Sequence, residues 1–253
     1  MTTIGENAFR ECNGLTEITL SENVESVGKR AFYGCKNLTS VKNLDKVTAI
    51  EDEVFSSCKK LTAFNIPANV TSIGKFAFSG SGLTEVSIPE TVETVGNYAF
   101  YYCADLKSAT INNKMESIAN SLFHGCKSLV TVTIPSTVTS IGESAFKDCS
   151  SLATISLPEG VLEVGMFAFS GSGLTEIVIP AGVTKIGNYA FYGCDKLALV
   201  NARMKEPVQI SEQTFSNPGD ASLNVPRGCK EAYEAADYWK EFGVIADVDD
   251  NII

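Results

Sequence analysis

The sequence contains one histidine, His124, in 253 residues. A single histidine excludes any site that needs two, and it argues against Ser–His and Cys–His nucleophile systems. His124 holds a position at which equivalent stretches of the chain carry tyrosine, serine or lysine, so we expect a solvent-facing, interchangeable side chain. No pair of acidic residues stands at a special position either. The sequence therefore predicts no enzyme, and no catalytic, cofactor-binding or metal-binding residue.

Long apolar runs and basic runs are also missing. No window approaches the roughly 18 consecutive apolar residues of a membrane-spanning helix. The opening, MTTIGENAFRECNG, has neither the basic region nor the apolar region of a signal peptide. The formal net charge is −10, and a surface that negative repels phosphate backbones and anionic lipid. We therefore expect no nucleic-acid partner and no direct insertion of this segment into a membrane.

What the chain has is a repeat. The decapeptide FAFSGSGLTE occurs at 76–85 and again at 167–176, 91 residues later. It lies within a pattern of 22 or 23 residues, L-x-x-I-x-I-P-x-x-V-x-x-I-G-x-x-A-F-x-x-C-x-x. Four units make 91 residues because one unit in each four lacks a residue, which indicates growth by copying a four-unit block. The units open at Leu15, Leu38, Leu61, Leu83, Leu106, Leu129, Leu152, Leu174 and Leu197.

A fixed period of this length is the signature of a solenoid, in which each unit stacks only on its neighbours. In the unit 129–151, Val132 and Ile134 alternate with threonines, so we predict a short strand with one buried face. Pro135 ends that strand, because proline offers no amide hydrogen to a ladder. The sequence thus predicts a coil with one short parallel strand in each rung.

The second half of each unit is predicted to turn back through the core. Gly142, with the glycines that match it, is expected to take a backbone conformation that a side chain would resist. Ala145 and Phe146 then form a one-turn helical or irregular segment that places a large ring inside. Ten of the fourteen phenylalanines hold this position, which predicts a continuous ring column at the strand spacing of about 4.8 Å. They are Phe9, Phe32, Phe55, Phe78, Phe100, Phe123, Phe146, Phe169, Phe191 and Phe215.

These residues resemble the Treponema-type, or BspA-like, leucine-rich repeat over residues 1–216. The resemblance implies a right-handed, curved leucine-rich repeat solenoid of about ten rungs, with short parallel strands on one side and irregular or short-helical segments opposite. Residues 1–14 are a truncated first rung, and the other rungs open at the leucines above. Two units depart from the pattern and should have altered turns. Unit 38–60 has Asp45 and Glu51 at the proline and glycine positions, and unit 106–128 has Asn112 and Ala119 there.

The period fails after Phe215, and residues 217–253 are predicted to be a C-terminal capping segment over the last rung. Within it, 222–225 has the pattern of one more strand. Residues 229–239 are consistent with a short helix anchored by Tyr233 and Trp239. BspA-like chains often end in a similar V-P-x-G-x-x-x-A-Y…W segment, which supports this prediction.

The two ends of the chain carry further expectations. ADVDD at 246–250 lacks the glycine and the distal glutamate of a calcium loop, so we expect a frayed acidic tail. The front end shows no matching cap. We therefore expect the intact protein to continue upstream, with an export signal there.

Seven of the eight cysteines fall on one repeat position, and Ser81 and Ser172 take that position in the two short units. A zinc site requires four ligands that converge on the metal, usually with CxxC spacing. The sequence contains no CxxC. Disulfides between neighbouring rungs would join parallel side chains whose Cβ atoms lie too far apart. We therefore expect a column of buried free thiols that pack as small apolar side chains. The column comprises Cys12, Cys35, Cys58, Cys103, Cys126, Cys149 and Cys194.

Alternation along the strands predicts an outward face of small hydroxyl side chains in the middle rungs. Large anchors, which usually supply interface energy, are missing from it. Two hypotheses remain open: threonine and serine simply suit a solvated strand, or the face contacts a protein or glycan with a small gain from each rung. The candidate binding residues of this face are Thr110, Thr131, Thr133, Thr154 and Ser156.

Tyrosines form a second candidate surface in the matching stretches GNYAFYYC and GNYAFYGC. Tyrosine is favoured at interfaces because it offers a ring and a hydroxyl at low entropic cost. The alternative is that these rings pack flat along the neighbouring rung. The residues are Tyr98, Tyr101, Tyr102, Tyr189 and Tyr192.

BspA-like proteins resemble bacterial surface adhesins, some of which associate with matrix proteins such as fibronectin or fibrinogen. The resemblance therefore implies an extracellular or cell-surface binding module, which we expect to be monomeric. Its partner would be a protein or glycan on host or neighbouring cells. Two alternatives remain: an inert structural spacer, and the accessory domain of a larger exported enzyme.

Overall fold

The computed structural model of the chain describes residues 1–111 and 115–249. It contains two compact units. The first comprises Met1–Met115 and Ser121–Pro135, and the second comprises Glu116–Asn120 and Ser136–Ile253. Both are parallel solenoids with very little helix, so the predicted repeat solenoid with short parallel strands is confirmed.

The first series of strands follows the leucine that opens a repeat, and every pairing within it is parallel and in register from rung to rung. Numbered along the chain, it contains β2 (Glu17–Thr19), β4 (Ser40–Lys42), β7 (Glu85–Ile88), β9 (Ser108–Ile111), β11 (Thr131–Thr133), β14 (Glu176–Ile179) and β16 (Leu199–Ala202). It continues with β17 (Ser222–Pro226) and β18 (Val244–Val248).

A second series of two-residue strands precedes the repeat glycine, and sequence reasoning did not predict it. Here the isoleucine or valine of the I-G element points into the core, while its neighbour faces outward. The series contains β1 (Thr3–Ile4), β3 (Ser26–Val27), β5 (Ala49–Ile50), β6 (Ser72–Ile73), β8 (Thr94–Val95), β10 (Ser117–Ile118), β12 (Ser140–Ile141), β13 (Glu163–Val164) and β15 (Lys185–Ile186).

The first series is interrupted at two rungs. Residues 61–67 and 152–158 belong to no strand, although the pattern predicts one in each. These two rungs are the ones that contain 22 residues, and they are 91 residues apart. The interruptions leave three separate sheets, β2–β4, β7–β9–β11 and β14–β16–β17–β18. The two units that lack one residue are thus also the two units that lack a strand of the first series.

The A-F segment is built from tight turns and carries a third set of bonds between rungs. In the segment that follows Gly74, the Ser79 amide donates to Phe76 O at 3.1 Å. The Phe78 amide donates to Ala99 O of the next rung at 2.8 Å. Residues with positive φ recur in this segment, as at Phe76 (+55°) and Gly80 (+63°). The segment is therefore a repeated turn stabilised along the stack, which is the irregular form of the two that the sequence predicts.

The repeat glycine is required by space, and the expectation of an unusual backbone conformation there was wrong. Gly142 and its equivalents do not lie in the left-handed region. A Cβ atom at Gly142 would instead lie 2.5 Å from Ile118 O of the preceding rung, and one at Gly96 would lie 2.6 Å from Lys75 N. Gly5 holds the same position in the first rung, where no atom lies within 4 Å of a Cβ. The glycine thus avoids a close contact with the preceding rung at these positions, whereas units 38–60 and 106–128 carry Glu51 and Ala119 there.

Unit 38–60 has the altered turn that its departures from the pattern predict. Asn43 has a φ of +64°, and its Nδ2 donates to Leu20 O at 2.8 Å. The apolar positions Val47 and Ile50 remain buried. The matching departure at Asn112 lies outside the described residues.

Phenylalanine rings fill the core of each unit in a stack. In the first unit, the six rings from Phe9 to Phe123 have neighbouring centroids 5.3–5.6 Å apart. In the second, the four rings from Phe146 to Phe215 are 5.1–5.5 Å apart. The interplanar angles are 20° or less, so these are stacked rings. The predicted ring column is confirmed within each unit.

After Phe215 the chain adds two more strands and a short helix, α1 (Lys230–Ala235), which is shorter than the predicted 229–239. Trp239 begins a 3-10 turn, and its Nε1 donates to Val208 O at 2.8 Å. Tyr233 donates its hydroxyl to Met204 O at 2.8 Å. Residues 244–248 form β18 and pair with β17, so the expectation of a frayed tail was wrong for them. Residue 250 of that tail lies outside the described residues.

Candidate binding surfaces

The outward strand face of the first unit brings three of the predicted residues together. On the sheet β7–β9–β11, Thr133 of β11 lies opposite Thr110 of β9, and Thr131 lies opposite Ser108. Thr131 and Thr133 are exposed and Thr110 is half-exposed. The side chains are short, so this face offers hydroxyl groups but little apolar area to a partner.

Thr154 and Ser156 belong to the second unit and are exposed. They lie in the interrupted rung, in no strand. They therefore do not continue a regular ladder of hydroxyl groups, contrary to the simple alternation from which they were predicted. They line a cleft instead.

The clefts are the consequence of the two interrupted rungs. The first cleft lies between residues 63–65 and β7 and has a volume of about 350 Å³. Phe64 lines it beside Asn65, Glu85 and Ser87, and Ser108 and Thr110 complete its far side.

The second cleft, also of about 350 Å³, lies between residues 154–157 and β14. Ile155 and Glu176 hold in it the positions of Phe64 and Glu85, 91 residues on. An ion pair between Arg203 and Glu159 crosses this cleft. In the first cleft the residue equivalent to Glu159 is Ala68, which cannot form an ion pair. The two clefts therefore have similar positions in the repeat but different side chains.

The tyrosines of the first unit form an aromatic patch with two residues that were not predicted. Tyr98 stacks on Phe76 of the preceding rung, with centroids 4.6 Å apart and an interplanar angle of 5°. Tyr101 meets Tyr98, Tyr102 and His124 edge to face, with centroids 5.5, 4.5 and 5.0 Å away. We call these five residues the tyrosine patch. Part of the patch is packed flat along the stack, as the alternative hypothesis proposed.

Tyr102 is the ring of this patch that solvent reaches most. It is 46% exposed, and its ring lies over Gly125 of the next rung, where an added Cβ would be 3.0 Å from ring atoms. His124 is half-buried between Tyr101 and Tyr102. His124 is therefore packed against two rings of the patch and is less solvent-facing than the sequence predicts.

The second unit has a smaller version of the patch. Tyr189 stacks on Phe167 at 4.7 Å, and Tyr192 meets Tyr189 edge to face at 5.5 Å. Tyr192 is 48% exposed. The Lys147 ammonium lies 5.0 Å from the Phe167 ring centroid, a cation–π contact. Gly193 stands here at the position equivalent to Tyr102.

The thiol column is buried, as predicted, except at Cys12, which is exposed in the first rung. Each thiol whose bond is described points to a phenylalanine carbonyl of the preceding rung: Cys58 Sγ lies 3.1 Å from Phe32 O, and Cys103 Sγ lies 3.1 Å from Phe78 O. Burial raises the pKa of Cys58 to about 12, and burial likewise raises the pKa of Cys103 to about 11. The column is thus structural, and protonated thiols act as its donors.

Sequence reasoning missed Phe76, Phe167 and the clefts. Phe76 precedes Tyr98 by 22 residues, and Phe167 precedes Tyr189 by the same interval, so one period of the repeat would have placed each pair together. The two short units were visible as well, but unit length alone does not say which side of a rung opens.

Within 1–111 and 115–249, no group of three or more histidine, cysteine or acidic side chains is arranged to hold a metal ion. In the same part of the chain, no helix has the length and apolarity needed to cross a membrane.

Comparison with known proteins identifies one family. The family model described as BspA type leucine rich repeat region matches residues 2–130 and 116–236, with six copies of the repeat. No curated protein matches the chain.

Solved structures of bacterial leucine-rich repeat proteins are similar to this chain. One from Bacteroides ovatus is 28% identical, with a TM-score of 0.85, and the match covers 98% of this chain and 64% of that one. The Treponema pallidum leucine rich repeat protein is 25% identical over 78% of this chain and 72% of its own, with a TM-score of 0.54. A protein from Eubacterium ventriosum is 24% identical, covers 98% and 70%, and has a TM-score of 0.60, which shows the fold alone. The chain thus spans 64% of the length of the Bacteroides protein.

Proposed function

Because the chain belongs to the BspA-type leucine-rich repeat family, we propose that it is a non-enzymatic binding module on a bacterial cell surface that adheres to a protein of the host or of neighbouring cells. A solenoid presents broad surfaces, and such proteins ordinarily use them to bind other macromolecules. The whole-protein setting, including export, is part of this proposal.

The tyrosine patch is the observation that supports binding best. The strand face offers short hydroxyl side chains, whereas interface energy is concentrated in large aromatic anchors. Tyr102 supplies such an anchor, since it is nearly half exposed and held by Tyr101 and His124. A ring that is already held in place loses little rotamer freedom on binding, so more of its contact energy appears as affinity.

Binding of matrix proteins tests the proposal. Fibronectin and fibrinogen would be immobilised, and association of the chain would be measured by surface plasmon resonance. Tyr102→Gly removes the exposed ring, copies the residue that stands at the equivalent position, Gly193, and suits the φ of +53° at this site. We expect it to weaken binding about tenfold or more, as loss of an anchor does.

Val130→Ala is the control, because Val130 is an exposed apolar residue outside the patch. It should leave affinity unchanged. If neither matrix protein binds the unmodified chain, or if Tyr102→Gly binds as well as the unmodified chain, the patch is not an adhesive surface and the spacer hypothesis gains.

A further inference from the structure

The first cleft has features of a small-ligand site that the proposed adhesion does not use. Its volume of about 350 Å³ falls in the range of small-molecule pockets, which run from about 300 to 1,000 Å³. Such pockets combine an apolar floor with a few polar groups that set orientation. Here Phe64 and Val86 supply the apolar part, while Asn65, Ser87 and Glu85 supply the polar part.

Phe64 is held in place from behind. Its ring lies 4.8 Å from that of Phe55 and 5.1 Å from that of Phe78, in tilted contacts with both, and those two rings are fully buried. Phe64 itself is only partly buried and lines the cleft. An aromatic ring is therefore fixed by the core and presented to the cleft.

The polar groups of the cleft include both donors and acceptors. Asn65 offers an amide with both functions, Ser87 and Ser108 offer hydroxyls, and Glu85 accepts hydrogen bonds through its carboxylate. Of the described residues that line this cleft, Glu85 alone carries a charge, so the cleft repels anions.

The dimensions of the cleft favour a compact ligand over a peptide strand. Residues 63–65 and the facing part of β7 give it a length of three residues, about 10 Å at strand rise, whereas strands typically have five or six residues. In the second series of strands the same two rungs remain paired, because β6 pairs with β8, with Ser72 opposite Thr94. The opening is therefore too short for a full inserted strand.

We propose that the first cleft binds a neutral sugar residue of a glycan. A pyranose has an apolar C–H face, which packs on an aromatic ring, and a rim of hydroxyl groups, which exchange hydrogen bonds with amide, hydroxyl and carboxylate groups. Phe64 would pack against the C–H face, and the hydroxyl groups of the sugar would form hydrogen bonds with Asn65, Glu85 and Ser87. The inference goes beyond adhesion through the tyrosine patch, because it concerns different residues and a different ligand.

The second cleft provides an internal contrast. It has Ile155 in place of the ring and Val178 in place of Ser87, and the Arg203–Glu159 ion pair crosses it. It therefore lacks the stacking surface and one of the hydroxyl groups. We expect sugar binding at the first cleft only.

Nuclear magnetic resonance of the isotope-labelled 253-residue chain tests this proposal. The probes are cellobiose, mannobiose, lactose and chitobiose as neutral disaccharides, with sialyllactose as the anionic counterpart of lactose and a basic tetrapeptide for the peptide alternative. We expect at least one neutral disaccharide to bind with a Kd on the order of 1 mM. The shifted amides should include those of Asn65, Glu85 and Ser108.

Two cleft variants and one control give the test its specificity. Glu85→Gln keeps size and exposure and should weaken the binding of the neutral sugar about tenfold while reducing the preference for lactose over sialyllactose. Phe64→Ile installs the residue of the second cleft and should also weaken binding about tenfold, with a thermal melt to show that it remains folded. Tyr102→Gly should leave sugar binding unchanged, even where it abolishes attachment to matrix proteins.

Four results would overturn the proposal: no neutral disaccharide binds, shifted amides cluster away from the cleft, Glu85→Gln binds sugar as well as the unmodified chain, or the peptide alone binds. None of them bears on the tyrosine patch. Conversely, loss of adhesion with intact sugar binding would leave the proposal for the cleft standing.

Discussion

At the scale of single residues, glycine does two different jobs in this chain. In the GSG stretch at 80–82, Gly80 has a φ of +63°, which side chains resist, whereas Gly82 sits against the backbone of Lys59 with no room for a Cβ. Gly171 and Gly173 repeat both roles. Within the repeated decapeptide, both copies thus keep one glycine for its backbone conformation and one for close backbone approach.

The glycine before the A-F segment allows a sharp test of the crowding argument. Gly96→Ala places a Cβ 2.6 Å from Lys75 N, and such overpacking should lower the free energy of unfolding by about 1–3 kcal/mol. Gly5→Ala, at the same repeat position but with nothing within 4 Å, should not destabilise the protein by this route. Urea unfolding of the two variants measures the difference, and equal losses would contradict the explanation.

At the scale of elements, the ring stack and the strands support each other. Each phenylalanine in the interior of a stack has a neighbour on both sides, and Phe100, for example, lies 5.4 Å from Phe78 and 5.6 Å from Phe123. Phe9 ends the stack, is only partly buried, and has its described stacking partner in Phe32 alone.

Truncating these rings should therefore have unequal costs. Phe100→Ala should destabilise the protein by about 3–5 kcal/mol, since it leaves a cavity between two rungs. Phe9→Ala should cost clearly less, because solvent already reaches that end. Denaturant titration of both variants checks the order. If Phe9→Ala lowers the free energy of unfolding as much as Phe100→Ala does, the position of a ring in the stack does not determine the cost of removing it.

Much of this element-scale architecture could be predicted from the sequence. The strand at Thr131–Thr133 and the ring column follow from apolar periodicity, because burial repeats with the unit. The positive φ at Ser57, Tyr102 and Asp148 could be foreseen less well, although glycine stands at that position in five other units. The clefts could not be foreseen, because they depend on how a shortened rung relaxes against its neighbours.

At the scale of the whole molecule, the buried thiols couple stability to pH. Burial raises the pKa of Cys58 to about 12 and those of Cys103 and Cys194 to about 11, whereas an unfolded thiol has a pKa of about 8.5. The folded state therefore holds protons that the unfolded state releases, and stability falls as pH rises above about 8.5 towards the folded values.

We therefore expect the free energy of unfolding to decrease between about pH 9 and pH 11. The slope should correspond to the several thiol protons that the unfolded state releases and the folded state retains. Cys58→Ser is the matched variant, since Ser81 and Ser172 already occupy this repeat position. It should show a shallower decline over the same pH range, measured by urea unfolding at fixed temperature. Identical slopes for the two proteins would rule out the thiols as the cause.

The identical decapeptides give the chain a way to change its number of interrupted rungs in whole steps. A deletion that runs from Phe76 to Met166 joins one copy to the other and removes 91 residues without shifting any leucine, glycine or phenylalanine out of phase. The reverse event inserts four further turns and one more opening. The number of clefts in this protein can therefore change by recombination, while the side chains that face each opening diverge afterwards.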